Sequence, residues 1–239
     1  METVTRIKEN WFNQRVSEKN YWGSAFFTSL IVTISCLYLV NFNNFQDLFP
    51  VSFELLFTQH QYYRAWTALL AHADFNHLLS NLFLFIPLSY FLMSYFGTWV
   101  FPFFGFIVAG LVNILTLFFY DPQVRLIGLS GLVYWMGAVS FTLYFLIDGP
   151  RKKSSRFATV LFLTLILFVP DKYNPEVSYL AHFFGFLLGI VSGVFLFSKN
   201  KNKFKTKEVV EVTVENFDED LDSQKSVSDN LNEEHNHLP

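Results

Sequence analysis

Ser130 stands between glycines in GLSGLVYWMG, residues 128–137, and opens a long apolar run. A hydroxyl carried into a segment built for lipid occupies a costly place, so it is either satisfied by a packing neighbour or put to use. Gly128 and Gly131 permit a tight turn and the close approach of another helix. Small residues in membrane helices also serve as plain packing surfaces, and Gly-x-Ser-Gly alone does not separate the two readings. Three further polar side chains share its situation. His77 and Asn81, four apart in HLLSN, fall on one helical face a turn apart, and His182 lies in the first turn of YLAHFFGFLLGIVSG. Imidazole takes a serine proton near neutral pH. Attack on a carbonyl then creates an oxyanion that needs donors held in place beforehand. His77, the Asn81 amide and the Ser130 backbone N–H at a helix start are suitable. No Asp or Glu lies inside an apolar run, so the chemistry is that of a Ser130–His182 dyad. Tyr134, one turn after Ser130, is a candidate to pack against the imidazole. Two other readings stay open: membrane histidines as interfacial hydrogen-bonders, the structural role given to His72 at its loop edge, and metal binding. For metal, no carboxylate or second His lies within reach on the His77 helix.

Elements must bring these groups together, and composition says which kind. With 52% hydrophobic, 20% aromatic and only 15% charged residues in 239, the chain is too apolar for an ordinary soluble domain. Apolar runs fall at about 25–41, 78–96, 99–119, 129–147, 157–169 and 179–197. Most approach the ~20 residues that cross a ~30 Å hydrocarbon core, which predicts six membrane helices. The fifth is short and closes at Pro170. The fold class is therefore all-α, a polytopic six-helix bundle in a lipid bilayer. The charge is segregated along the chain rather than gathered in a patch, and gives no sign of nucleic acid. The single Cys36 excludes an intramolecular disulfide.

Basic residues cluster at Arg6, Lys8, Arg15 and Lys19, at Arg151, Lys152, Lys153 and Arg156, and from Lys199 to Lys207. The opposite loops hold only Arg64, Arg125 and Lys172. An even number of spans with both termini cytoplasmic satisfies every loop. The chain divides into a cytoplasmic lead over 1–24, a six-helix core over 25–198, and a tail over 199–239. That tail turns from basic to acidic and is expected to be mostly disordered. Between the first two runs, Phe53, Leu56 and Phe57 at helical spacing suggest short helices in an outer loop, lying in the interface or packed as a cap. Gly185, Gly189 and Gly193 form a smooth stripe on helix six that pairs it with helix four beside Gly131.

The order RAWTALLAH, HLLSN, GLSG and AHFFGFLLG, each at the outer end of its helix, resembles the rhomboid intramembrane serine proteases over about Phe45 to Phe197. The resemblance implies that Ser130 is the nucleophile and His182 the general base. It implies further that His77 and Asn81 belong to the oxyanion hole, and that Arg64 corresponds to the arginine of the first outer loop. Helix five and the loop 171–178 would act as gate and cap. Substrates would be single-span membrane proteins cut near the outer face, with no cofactor or metal. The lack of targeting signals and the compact six-helix core suggest a bacterial plasma membrane. One departure is visible: many members carry a Glu where this chain reads FLMSYFG around Met93, which puts a stabilising contact in doubt. A non-catalytic relative that binds membrane clients is the alternative, although such relatives generally lose the Ser or the His. A transporter would need ionisable groups near the midplane, and none is found.

Overall fold

The computed structural model describes residues 2–14, 16, 19–169 and 177–215. Six long helices make up almost all of it: α1 (Lys19–Leu39), α2 (Phe75–Phe96), α3 (Gly105–Leu117, led in by an irregular turn at Trp99–Phe104), α4 (Ser130–Ile147), α5 (Lys153–Phe168) and α6 (Tyr179–Lys205). Among the described residues five are long and apolar enough to cross a membrane, α3 together with its lead-in as Trp99–Leu117; α5, with 16 residues, is not among them. At 1.5 Å per residue it reaches only about 24 Å.

Burial ranks the helices. The α3 and α4 spans are each 61% buried, against 17% for α1, so α4 is enclosed and α1 faces lipid along most of its length. Trp135 at the centre of α4 is wholly buried. It packs over Gly105 and donates its indole N–H to Ser192 Oγ of α6 at 3.0 Å. The glycine stripe of α6 lies along α4. A methyl at Gly189 would meet Ala138 Cβ and the Trp135 carbonyl at 2.6 Å, and one at Gly193 would meet Thr142 Cβ at 2.6 Å. This backbone-close contact is the most extensive in the bundle. α1 is fixed to α2 by Ser24 Oγ against Ser89 Oγ (2.5 Å) and by Gly23 beneath Met93. An apolar contact thus stands at the position the family resemblance left in doubt.

Helix α5 is tied at its two ends. Arg156 donates to the Phe145 carbonyl at 2.5 Å, and Phe168 plugs against Gly137, Phe141 and Phe186. Between them Phe157, Leu161, Phe162, Leu165 and Ile166 are exposed. Pro170, residues 171–176 of the expected cap, and the tail from 216 lie outside the described residues.

The segment between α1 and α2 is a packed cap, not a loop of helices lying flat. Its short turns at Glu54–Thr58, Arg64–Thr67 and Ala68–Leu70 close a small core of Val51, Leu56, Ala65 and Ala68 on Leu117 and Leu126. The Phe53 and Phe57 rings pack tilted against each other, and Phe118 meets Phe53 edge-on and Phe57 at a tilt.

Two boundaries differ from the sequence expectation. α1 begins at Lys19, inside the lead expected over 1–24, and α6 continues past 198 to Lys205. Hydropathy marks where lipid begins, whereas the helix persists through Lys and Asn, tolerable helix residues, because Phe204 packs on Trp11 and Phe96. The chain beyond Lys199 is also not uniformly irregular: β2 (Val209–Glu215) pairs antiparallel with β1 (Glu2–Glu9), Glu2 opposite Glu215 and Ile7 opposite Val210. The β-branched alternation of VVEVTVE carries that strand, and average hydropathy hides it.

Candidate active site

α2, α4 and α6 all begin at the same end of the bundle, and their first turns hold the polar groups singled out above. The N-terminus of α4 is set by the loop before it. Val51 and Leu126 exchange backbone hydrogen bonds (3.0 and 2.7 Å), Glu54 N–H donates to the Pro122 carbonyl (3.0 Å) and Gly128 N–H to the Ala68 carbonyl (2.9 Å). The cap therefore grips this loop along its length. Gly128 has φ +119, a conformation that favours glycine, and a methyl there would lie 2.9 Å from His77 Cε1. α4 then starts at Ser130. The amides of its first turn have no carbonyl partner within the helix.

His182 stacks on Tyr134, rings 3.9 Å apart and 13° from parallel, and Tyr134 follows Ser130 by one turn. Close helix contact makes this possible. A methyl at Gly185 would land on the Gly131 carbonyl oxygen and 3.3 Å from Tyr134 Cβ, and one at Gly131 would lie 3.6 Å from the Ala181 carbonyl. The Tyr134 hydroxyl donates to the Phe168 carbonyl at 2.7 Å, so the ring that faces His182 is fixed from its far end. Both His182 ring nitrogens are shielded from solvent and have no hydrogen-bond partner among the described residues. No hydrogen bond joins Ser130 to His182 in this arrangement.

A cavity of about 70 Å³ opens at Ser130, lined by His77, Gly128, Gly131, Asn113, Arg125 and Ser178 among others. His77 is held by Asp74, which caps α2 by accepting its N–H at 2.8 Å. Asn81 is buried and does not line the cavity. Its Nδ2 donates to the His77 carbonyl at 2.9 Å, which leaves one N–H of the amide.

His72, expected at the loop edge, is instead wholly buried at the centre of a hydrogen-bond chain. Leu129 N–H reaches its Nε2 at 3.4 Å, and its Nδ1 lies 2.9 Å from Ser35 Oγ, which donates onward to the Leu70 carbonyl at 3.1 Å. With Nε2 accepting, the network assigns the proton to Nδ1, and every member is satisfied only by a neutral ring. Burial first, then the neighbouring His77, lower the His72 pKa to about 3 against the opposing pull of Asp74. His72 thereby holds the residue preceding the serine.

Arg64 does not belong to the constellation. It is buried in the cap, where Nη1 donates to the carbonyls of Asp47, Leu48 and Pro50 (2.7, 2.7 and 3.0 Å) and Nε bonds Gln61. Five donors in a rigid fork suit it to gathering carbonyls, and its effect on Ser130 runs through the cap. Asn113, in the middle of α3, lines the cavity and donates to the Ala65 carbonyl at 2.8 Å. Its signal was an amide in an apolar run, which always needs a partner. Ser178 caps α6 by accepting Ala181 N–H at 3.2 Å and lies 3.3 Å from the Tyr120 hydroxyl, but a serine in a polar loop gives no such signal. Among the described residues no group of three or more His, Cys, Asp or Glu converges.

The Rhomboid domain family model matches residues 59–199, more than half of the chain, and includes every residue of this site. No curated protein matches it.

Proposed function

From the premise that the chain belongs to the rhomboid family, we propose that it is an intramembrane serine endopeptidase working through a Ser130–His182 dyad. The observation that carries the reading is the His182 imidazole stacked on Tyr134, one turn from Ser130, with both nitrogens free of partners among the described residues. A ring fixed in its plane but uncommitted in its hydrogen bonds can accept a proton from a hydroxyl that rotates toward it. Catalytic hydrogen bonds of free enzymes often tighten only when substrate arrives.

The Ser130 hydroxyl attacks a substrate carbonyl as His182 takes its proton. The oxyanion is met by the unpaired Ser130 N–H and by His77, which lines the same cavity, with the remaining Asn81 N–H behind them. His182 returns the proton to the leaving amine, and a water hydrolyses the acyl-enzyme with the same base. The small cavity suits a small side chain beside the scissile bond. Substrates are single-span membrane proteins that reach Ser130 from the lipid, with α5 and the chain after it as gate and cap. The basic α4–α5 connection and the basic end of α6 support termini on the cytoplasmic side, and the membrane is read as a bacterial plasma membrane.

Purified protein in liposomes, with a panel of membrane-anchored substrates, tests this. Cleavage and fluorophosphonate labelling should be present in the wild type and lost in Ser130→Ala and His182→Ala. Cleavage by Ser130→Ala equal to wild type sinks the nucleophile assignment. No labelling of correctly folded wild type favours the non-catalytic, client-binding reading.

A further inference from the structure

At the opposite end of the bundle lies a second cavity, of about 330 Å³, between the N-terminal segment, the α2–α3 turn and the last turns of α6. This volume falls in the range of small-molecule pockets, roughly 300–1,000 Å³. Its lining is ordered by depth. Leu196, Asn200 and Lys203 follow one another at helical spacing along α6, Lys207 stands in the turn just past its end, and the series passes from apolar to polar to basic. Facing them, Trp11 is buried, donates its indole N–H to the Tyr95 carbonyl at 3.1 Å and lies in edge contact with Phe204, ring centroids 5.0 Å apart. The Lys203 ammonium sits 5.3 Å from the Trp11 ring. Ser94 Oγ, shielded from solvent, has no hydrogen-bond partner among the described residues and belongs to the same lining. Among the described residues no carboxylate lines the cavity.

An apolar floor at the level of the last membrane turns, an aromatic at the boundary and two ammonium groups above it match one molecule class. We propose that this cavity binds an anionic glycerophospholipid of the leaflet on the basic side, with its phosphate between Lys203 and Lys207 and its acyl chains against Leu196 and Val100. A soluble phosphate would have no use for the floor, and a zwitterionic lipid would bring a choline cation to the two lysines. The site is framed by the β1–β2 pair, since β1 stops two residues before Trp11 and β2 starts two residues after Lys207. Nothing in this inference depends on the protease chemistry at the other end.

Native mass spectrometry of the full chain, titrated with phosphatidylglycerol, phosphatidylcholine or glycerol 1-phosphate, reads the site directly. Phosphatidylglycerol should bind with a distinct first site, and Lys203→Gln with Lys207→Gln should weaken it about thirty-fold, roughly fivefold for each lysine. The pair Lys199→Gln with Lys201→Gln removes the same charge from the end of α6 outside the cavity, and should change that affinity by no more than about twofold. Ser94→Leu fills the floor without touching charge and should also displace the lipid. The proposal is overturned if both lysine pairs weaken binding equally, if phosphatidylcholine binds as well, if glycerol 1-phosphate competes at equal concentration, or if Ser94→Leu leaves the lipid bound.

Discussion

Acidification should cost this protein stability through His72, a residue that performs no chemistry in the proposed reaction. In the fold its pKa is about 3, set by burial in a chain of bonds that only the neutral ring satisfies. In the unfolded chain it returns to about 6.5. Between those values the unfolded chain binds a proton that the folded one refuses, so stability falls as pH falls. The contribution is complete above about pH 6.5 and is lost downward at up to about 1.4 kcal/mol per pH unit until the folded group itself titrates near 3. From about pH 7 to pH 5 the loss from this residue alone is about 2 kcal/mol. Reversible unfolding in mixed micelles, at about pH 7, 6 and 5, measures it by comparing wild type with His72→Gln. Gln cannot titrate in this range, and the other histidines are common to both proteins. The variant should start less stable and lose about 2 kcal/mol less than wild type over that interval. Parallel pH dependences for the two proteins would refute the neutral buried assignment. Because His72 bonds Leu129, acid should also slow fluorophosphonate labelling of Ser130 before the bundle unfolds.

Three substitutions test how the site is held. Gly185→Ala puts a methyl on the Gly131 carbonyl oxygen, backbone that cannot rotate away. It should cost about 1–3 kcal/mol and reduce Ser130 labelling by more than about tenfold as α4 and α6 part. Tyr134→Phe keeps the ring on His182 but loses the bond to the Phe168 carbonyl. About 1 kcal/mol should be lost, with faster hydrogen exchange at the end of α5 and labelling largely retained. Arg64→Ala deprives the Asp47, Leu48 and Pro50 carbonyls of their common donor, which should cost about 2 kcal/mol or more. The thermal midpoint and exchange within residues 45–70 should register that loss while α2 stays protected.

Much of this arrangement was legible in the sequence because lipid imposes simple rules. A polar group in an apolar run must have a reason, and Ser130, His77, Asn81 and His182 each break such a run near one end. The glycine spacing of α6 named its partner, since a stripe without side chains has value only where another backbone comes close. Arg64 lies in the outer loop where its sequence position put it, but sequence order does not tell which carbonyls a loop cation gathers. His72 looked peripheral for a related reason: it stands only three residues before α2, but the chain folds inward there, and burial depends on what the cap and α1 lay over it. The pairing of β1 with β2 escaped notice because short alternating strands carry little average hydropathy. The second cavity is built from residues nearly two hundred positions apart, beyond any local pattern.

The three backbone contacts between the cap and the chain leading to Ser130 also have a meaning for how such a molecule tolerates change. Val51 and Ala68 serve as a jig, and the serine's aim is inherited from a segment that contributes nothing to the reaction. A nick or an inserted residue between Val51 and Ala68 would leave every reacting atom present yet shift the tool holder, whereas the same lesion in the turn at Gly149 would fall far from the workpiece. Variation in the cap should therefore be read as variation in alignment, and an inactive variant mapped there is no evidence of a contact with substrate.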